Sequence, residues 1–389
     1  MSPKHHIGGI SAVILAAGYS RRMGNFKPLL RFGAQTLLER LVSTYRKAGI
    51  ADIRVVTGHR AAAVEAALVD LPVTTVHNPI YDTGMFSSIL AGIDSLPSTT
   101  RAFFIHPVDI PLVRPDTLSR LMTALDDPLW AVVYPLLEDQ RGHPPLIHSA
   151  LATEIAAYNG CGGLRELLRR FESRAKNIPV ADAGVLLDLD TPDDYQRLAA
   201  RAAQTGHVLT ATESRMLMEK ILKLPLPVVE HCRQVARVAA ALAKSVAKCV
   251  AGIDIQLVEA AATVHDLARD RDSHAAVGAE WLNAMGFPAM AAIVAAHMDI
   301  DVSQDSPLDE TQIVYLADKL VTGKTVIDLK QRFATKLAKY RDDPDISATI
   351  VQRRQAAQII QGKIETLSGE TVYALLTNAG IPLSQQQGP

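Results

Sequence analysis

Apolar and polar positions divide this chain into two textures. Up to about residue 200, short apolar runs alternate with stretches that repeat apolar residues at helical spacing. ISAVILA (10–16) predicts a buried strand, QTLLERLVSTYRKA (35–48) a helix stopped by Gly49, and DIRVVTG (52–58) a second strand. RAAAVEAAL (60–68) predicts a helix, VTTVHN (73–78) a strand, FSSILAGIDSL (86–96) a helix and RAFFIHPVD (101–109) a strand. AVVYPLL (131–137), PLIHS (145–149) and GVLLDLD (184–190) supply later strands. This alternation predicts an α/β domain, a mostly parallel sheet covered on both faces in three layers. Ligands of such sheets bind beyond the carboxyl ends of the strands. LAAGYSRRMG (15–24) and HPVDIPL (106–112) both fall there.

After TPDDYQRLAARAAQTG (191–206) the texture becomes helical throughout, with apolar periodicity over 211–223, 227–248, 255–268, 272–285, 288–298, 309–333 and 345–366. The pattern predicts an α/β domain over 1–205, an all-α domain over 206–372 and a flexible tail over 373–389. Two cores also suit 389 residues of which 48% are hydrophobic and 21% charged. A net charge of −1 gives no electrostatic case for nucleic acid. Cys161, Cys232 and Cys249 form no CxxC pair, which favours a reducing compartment such as the cytoplasm. Glycines and Arg21-Arg22 interrupt the first apolar run before a signal core or membrane span is complete, so no membrane association is expected. His5 and His6 read as flexible, and Cys161, in NGCGG, as part of a flexible loop without a paired histidine.

The loop at 15–24 has phosphate-binding chemistry. Gly18 and Gly24 let backbone N–H groups approach an anion closely, and Arg22 and Lys27 can offset its charge. Neither a P-loop nor the dinucleotide G-x-G-x-x-G spacing is present. Asp109, considered alone, is either a turn cap before Pro111 or a metal ligand. The whole run L-A-A-G-x-S-x-R-M-G-x-x-K, from Leu15 to Lys27, resembles the nucleotide signature of nucleotidyltransferases with a glycosyltransferase-A-like fold. It is most similar to that of the molybdenum cofactor cytidylyltransferases.

The resemblance implies that Ala16, Ala17, Gly18, Ser20, Arg22 and Lys27 surround the triphosphate of CTP, the Ala16-Ala17-Gly18 form belonging to the cytidylyl branch. GMFSSILAGI (84–93) resembles the segment meeting base and ribose, which implicates Gly84, Ser87 and Ser88. Asp109 takes the strand-end metal position, RGHPPLI (141–147) places Gly142 and His143 at the acceptor, and LDLDTPDDY (187–195) brings Asp188 and Asp190 to the same metal. His106 departs from the small residue usual near its position, so that it either alters the pocket or packs. Attack of an acceptor phosphate on an α-phosphate brings anions together and calls for a divalent cation, here Mg²⁺. Asp109 with Asp190, or with Asp188 as second choice, can hold it while Lys27 and Arg22 stabilise developing charge.

In the helical half, VHDLARD (264–270) sets His265 beside Asp266 on an apolar helix. A lone histidine there is either a satisfied core residue or a ligand completed from other helices. His231, His274, His297 and Asp318 are the available company, and imidazoles with carboxylates suit first-row divalent ions. The order H…HD…D resembles that of the HD-domain metal-dependent phosphohydrolases. By that resemblance His231, His265, Asp266 and Asp318 are ligands, His274 and His297 serve a second ion, and one or two of Fe, Mn, Mg or Zn occupy the site. Arg269 stands where many members carry a phosphate-binding lysine, and Lys319 is a second candidate for the pocket.

Together the resemblances imply cytidylyl transfer from CTP to the terminal phosphate of a molybdopterin-type molybdenum cofactor with release of pyrophosphate, joined to metal-dependent phosphoester or nucleotide hydrolysis. The alternatives are another phosphate or phosphonate acceptor, or a helical domain that senses nucleotide without turning it over. The implied partners are a nucleoside triphosphate, a small phosphorylated acceptor, and a recipient molybdoenzyme or cofactor chaperone.

Overall fold

The computed structural model describes residues 8–125, 127, 129–205, 208–381 and 383; His5, His6 and the end of the expected tail lie outside them. The chain forms two compact units, Met1–Gln204 and Thr205–Pro389.

The first unit contains strands β1 Ile10–Leu15, β2 Arg31–Phe32, β3 Gln35–Thr36, β4 Asp52–Thr57, β5 Thr74–His77, β6 Ala102–Pro107, β7 Val132–Leu137, β8 Gln140–Arg141, β9 Leu146–His148 and β10 Ala175–Pro179. The main sheet has the order β10-β7-β9-β6-β1-β4-β5, with β8 on β7 and a separate β2–β3 ladder. β9 runs antiparallel to both β6 and β7, whereas β1 is parallel to β4 and to β6. Leu15 pairs with Pro107, so the carboxyl ends of β1 and β6 lie side by side. The chain leaves β1 toward β4 on one side and returns on the other, which makes this the switch point at which α/β sheets bind ligands.

Helices α1 Leu37–Lys47, α2 Ala61–Leu68, α3 Met85–Asp94, α4 Pro115–Leu125, α5 Ala152–Ala156, α6 Gly163–Arg169 and α7 Pro192–Thr205 complete this unit. Helix α1 starts in a capping box: the Thr36 hydroxyl accepts from the Glu39 N–H (3.1 Å) and the Glu39 carboxylate from the Thr36 N–H (2.6 Å). It buries Leu37, Leu38, Leu41, Val42 and Tyr45. Helix α3 approaches the sheet through Gly92, where a Cβ would lie 2.3 Å from Val13 Cγ1.

The strand expected at 184–190 does not form. Ala183–Leu186 is a 3₁₀ turn, because the buried Asp182 carboxylate accepts from Gly184 N–H, Arg114 N–H and Thr117 Oγ1 and bends the chain there. The sheet edge is taken instead by β10, whose mixed polar sequence AKNIP suits a half-buried edge.

The second unit is helical: α8 Ala211–Arg215, α9 Leu226–Val246, α10 Ile255–Val264, α11 His274–Ala284, α12 Pro288–Ala296, α13 Glu310–Leu320, α14 Leu329–Lys339, α15 Pro344–Ser368 and α16 Val372–Asn378, with a two-residue hairpin of β11 Val321–Thr322 and β12 Thr325–Val326. The single helix expected over 309–333 is therefore two. Gly323, at φ 57°, turns the hairpin between them, and Asp328 caps α14 by accepting from Gln331 N–H. Helix α8 runs into a π turn at Met216–Ile221. The tail expected to be flexible from residue 373 is instead helical through Asn378, because α16 buries Val372, Leu375 and Leu376. Helix α13 is buried from Gln312 to Leu320, at the centre of this unit.

Candidate functional site

Two constellations emerge, one in each unit. In the first, the loop after β1 is shaped by Ser20, which adopts φ 55° and whose hydroxyl accepts from Lys27 N–H (3.0 Å), and by Gly24 at φ 70°. These turns bring Lys27 back over the sheet end. Its ammonium, on a side chain only 10% exposed, lies 3.2 Å from Asp109 Oδ2 and 2.7 Å from Asp190 Oδ1. Arg22, largely in solvent, reaches Asp190 at 3.4 Å. A backbone bond from Leu189 N–H to the Asp109 carbonyl (2.8 Å) joins the two carboxylate-bearing segments. Two carboxylates converging on one cation offer the hard oxygen donors that Mg²⁺ requires. Asp188 is exposed, and its charge acts on His143 rather than entering this cluster.

Gly18, Ser20, Lys27, Gly84, Ser88 and Asp109 line a cavity of about 330 Å³. Ala17 also lines it, whereas Ala16 is buried beneath, its N–H bonded to Val56 O. Ser87 is turned away, donating to the carbonyls of Gly84 and Ile80. Asn78, which sequence reasoning missed, is buried and donates to the hydroxyls of both Ser87 and Ser88 (2.9 and 3.0 Å). Its place just beyond the carboxyl end of β5 was the available signal. Tyr19 and Tyr81, also missed, flank the mouth with ring centroids 5.4 Å apart.

A neighbouring cavity of about 590 Å³ shares Leu15, Met85 and Pro107 with the first. Gly142, His143, Arg141 and Arg165 line it. Gly142 packs so tightly that a Cβ would lie 2.5 Å from Val185 Cγ2. Burial lowers the pKa of His143, opposed by the charges of Asp109 and Asp188. His106 lines neither cavity. It is fully buried, accepts from the Tyr45 hydroxyl (2.8 Å) at Nδ1 and donates from Nε2 to the Ile110 carbonyl (2.9 Å). Burial pushes its pKa down to about 3. Of the two readings of this histidine, packing is the one the structure contains.

In the helical unit, His265 and Asp266 do not ride on a helix face. Helix α10 ends at Val264, and i to i+3 bonds from Leu267 N–H to Val264 O and from Arg269 N–H to Asp266 O tighten the chain into a turn. The turn aims both side chains at residues from four other helices: His231 on α9, His274 at the start of α11, His297 just beyond α12 and Asp318 on α13. Ligand atoms of His231, His265 and Asp318 lie within 4.8 Å of one another, as do those of His265, Asp266 and His297. Asp266 Oδ1 is 3.3 Å from His274 Nε2 and 3.5 Å from His297 Nε2. Asp318 Oδ1 is 3.2 Å from His231 Nε2.

The imidazoles are oriented from behind. Nδ1 of His231, His265 and His297 donates to the carbonyls of Gly323 (3.2 Å), Ala262 (2.9 Å) and Val294 (2.7 Å), which turns each Nε2 inward. His265 Nε2 is buried without a hydrogen-bond partner. Burial pushes the His265 pKa down to about 4, against the pull of Asp266 and Asp318. For Asp266, burial acts upward but is outweighed by hydrogen bonds from His274 and His297 and by the charges of His265 and Arg269, holding the carboxyl well below its usual range. A neutral His265 with an orphaned inward nitrogen, the imidazoles of His231, His274 and His297 around it, and two ionised carboxylates form a donor set that fits first-row divalent ions.

Arg269 reaches Asp266 (3.4 Å) and lines an adjoining cavity of about 380 Å³. Lys319, also in the lining, is buried and committed to Asp318 (2.7 Å) and the His297 carbonyl (2.9 Å). Arg332, Lys336 and Arg353 complete its charged wall, and sequence reasoning missed all three. The i, i+4 spacing of Arg332 and Lys336 was visible, but not the direction that face takes. Cys161 and Cys249 are exposed and Cys232 is buried, all unpaired. Among the described residues, no helix is long and apolar enough to cross a membrane.

Comparison with known proteins agrees with both halves. Residues 12–176 match the MobA-like NTP transferase domain and residues 228–323 the HD domain. The molybdenum cofactor cytidylyltransferase of Escherichia coli (strain K12) is 26% identical over 190 residues, 49% of this chain and 95% of that protein. The nicotine blue oxidoreductase of Paenarthrobacter nicotinovorans is 31% identical over 196 residues, 49% of this chain and 96% of that protein. A solved nucleotidyl transferase from Methanothermobacter thermautotroptrophicus, 26% identical, covers 50% of this chain and 98% of its own with a TM-score of 0.43. This chain belongs to the MobA-like NTP transferase family and carries an HD domain after its transferase domain.

Proposed function

We propose that the first unit transfers a cytidylyl group from CTP to the terminal phosphate of a molybdopterin-type molybdenum cofactor, and that the second hydrolyses a phosphoester or nucleotide. The observation that carries the transferase reading is the Lys27 ammonium held between Asp109 and Asp190 where two cavities adjoin. An oxygen of the acceptor phosphate bonds to the α-phosphorus of CTP, the α–β phosphoanhydride breaks, and pyrophosphate leaves with the electron pair. The acceptor is already anionic and requires little general-base help. Backbone N–H groups of the Gly18 loop bind the triphosphate, Lys27 and Arg22 offset its charge, and Ser88, steadied by Asn78, positions the nucleoside. His143 and Arg141 face the acceptor. Mg²⁺ bound by Asp109 and Asp190 would neutralise and orient the phosphates.

In the helical unit His231, His265, Asp266 and Asp318, with His274 and His297 for a second ion, would hold one or two of Fe, Mn, Mg or Zn, which supply Lewis acidity for hydrolysis. Arg269 binds the phosphate undergoing attack. The cation-lined second cavity of the transferase unit, with Arg141 and Arg165, also supports a different phosphate or phosphonate acceptor. We place the protein in a reducing compartment such as the cytoplasm, delivering its product to a recipient molybdoenzyme or chaperone.

Product analysis of the full chain with CTP, GTP and ATP, each offered with molybdenum cofactor and with other phosphorylated acceptors, tests the transferase reading. CMP transfer abolished by Asp109→Asn supports it. Transfer from GTP alone rejects the cytidylyl preference, and failure with the cofactor beside brisk transfer to another acceptor rejects the cofactor as substrate. A nucleotide hydrolysis panel lost in the double variant His265→Ala, Asp266→Ala supports hydrolysis; nucleotide binding without turnover supports sensing.

A further inference from the structure

The cavity beside the imidazole–carboxylate cluster holds more positive charge than the cluster uses. Asp266 and Asp318 are already faced by Arg269, Lys319 and the histidines. Beyond them stand Arg332 and Lys336, one turn apart on α14, and Arg353 on α15. Arg353 is forked onto Asp299 (2.7 Å twice), whereas neither Arg332 nor Lys336 forms an ion pair among the described residues. Arg332 donates through Nη1 to the Val321 carbonyl and the Thr322 hydroxyl, and its Nε is buried with no partner. Lys336 stands at the exposed rim; partial desolvation against the wall, with the charges of Arg332 and Lys319, holds its pKa down to about 8. Crowded cations without counter-charges bind anions favourably. The volume of about 380 Å³ is several times what one phosphate fills, and Val228, Phe333 and Ile350 give the remainder an apolar side.

We propose that Arg332 and Lys336, with Arg353 contributing only the Nη1 side that its fork on Asp299 does not use, form a second-phosphate subsite, so that the helical unit takes a ligand with at least two linked phosphates, a diphosphate or longer, rather than a phosphate monoester. The subsite deepens the hydrolase reading and rests on it for which phosphate reacts. Water oxygen bonds to the phosphorus held at the histidine cluster, the phosphoanhydride bond breaks, the departing phosphate takes the electron pair while bound to the three cations, and the proton that the water loses passes to solvent. None of the three lies within residues 228–323 that match the HD domain.

The test is calorimetric titration of the full chain, loaded with Mn²⁺ and freed of excess ion, with methylenediphosphonate, α,β-methylene cytidine diphosphate and inorganic phosphate. Wild type, Lys336→Met and Arg332→Lys are compared, and a hydrolysis panel is run alongside. The expected result is at least tenfold tighter binding of both diphosphate probes than of phosphate, and about a tenfold loss in Lys336→Met for the diphosphate probes alone, the change equivalent to one lost charge contact. Equal affinity for phosphate and diphosphate, or diphosphate binding and turnover indifferent to both variants, overturns the subsite even if hydrolysis is brisk. Absence of turnover on every substrate, with the variant-dependent binding intact, removes the hydrolase reading and leaves the subsite standing. In the part of the binding that Lys336→Met weakens, tighter binding of the nucleoside probe than of methylenediphosphonate identifies a nucleotide as the source, and equal binding identifies inorganic diphosphate.

Discussion

Replacing His265 with leucine separates ion binding from folding. His265 Nε2 is buried without a partner, and an unsatisfied buried polar atom costs roughly 1–3 kcal/mol. Leucine removes that cost and also removes the Nδ1–H bond to the Ala262 carbonyl, which contributes about 0.5–1.5 kcal/mol. The two changes oppose one another, so ion-free stability should move by no more than about 2.5 kcal/mol. Ion-dependent stability behaves differently, because the ligand set joins α9, the turn after α10, α11, the end of α12 and α13. An ion at one hundred times its dissociation constant adds about 2.7 kcal/mol to whatever binds it only when folded. For a unit spanning residues 205–389 each kcal/mol raises the midpoint by roughly 2–4 °C, giving a shift of about 5–11 °C. Scanning calorimetry of chelator-stripped protein, then of the same sample with Mn²⁺, reads both quantities. Wild type should show the full upward shift in the transition of the helical unit, and His265→Leu less than about 2 °C. A variant that retains the whole shift would refute the reasoning, since the ion would then be held elsewhere.

Lys27→Met should lower kcat/KM for pyrophosphate release by roughly 10- to 150-fold, the equivalent of one charge-assisted hydrogen bond of about 1.5–3 kcal/mol; an unchanged rate would reduce Lys27 to a spacer between Asp109 and Asp190. His106, with a usual pKa of 6.5 depressed to about 3, is protonated in the unfolded chain before it is in the folded one. Its contribution is complete above about pH 6.5 and declines by about 1.4 kcal/mol per unit as the pH falls toward 3. Denaturant unfolding across this window should show a shallower decline in His106→Gln, and parallel curves would count against it. Gly142→Ala drives a Cβ to 2.5 Å from Val185 Cγ2 and 2.6 Å from the Val185 carbonyl, so it should destabilise by about 1–3 kcal/mol and raise KM for the acceptor more than for the nucleotide; equal effects on both would detach Gly142 from the acceptor side.

Local signals carried the α/β half far, and for a physical reason. Strands buried on both faces must be apolar throughout, so ISAVILA and RAFFIHPVD stand out whatever their neighbours, and the loops at their carboxyl ends follow from topology alone. The edge strand β10 was illegible for the complementary reason, since a half-buried edge tolerates Lys176 and Asn177. GVLLDLD has strand-like composition, but Asp182 finds three donors and turns the chain before a ladder can form.

The residue types at both sites were determined by the sequence: a glycine-bearing basic loop, aspartates after strands, and histidines paired with aspartates among helices. Which of them meet was decided only in the tertiary structure. Asp190 rather than Asp188 shares Lys27 with Asp109, because the bond from Leu189 to the Asp109 carbonyl sets the register of that segment. His265 and Asp266 turn inward because α10 ends one residue earlier, and they meet residues up to fifty-three positions away that no spacing connects to them. Arg332, Lys336 and Arg353 look like ordinary solvated helix cations in one dimension. The hairpin at Gly323 redirects the chain between α13 and α14, and charges that a continuous helix would have spread along its length instead gather around one cavity.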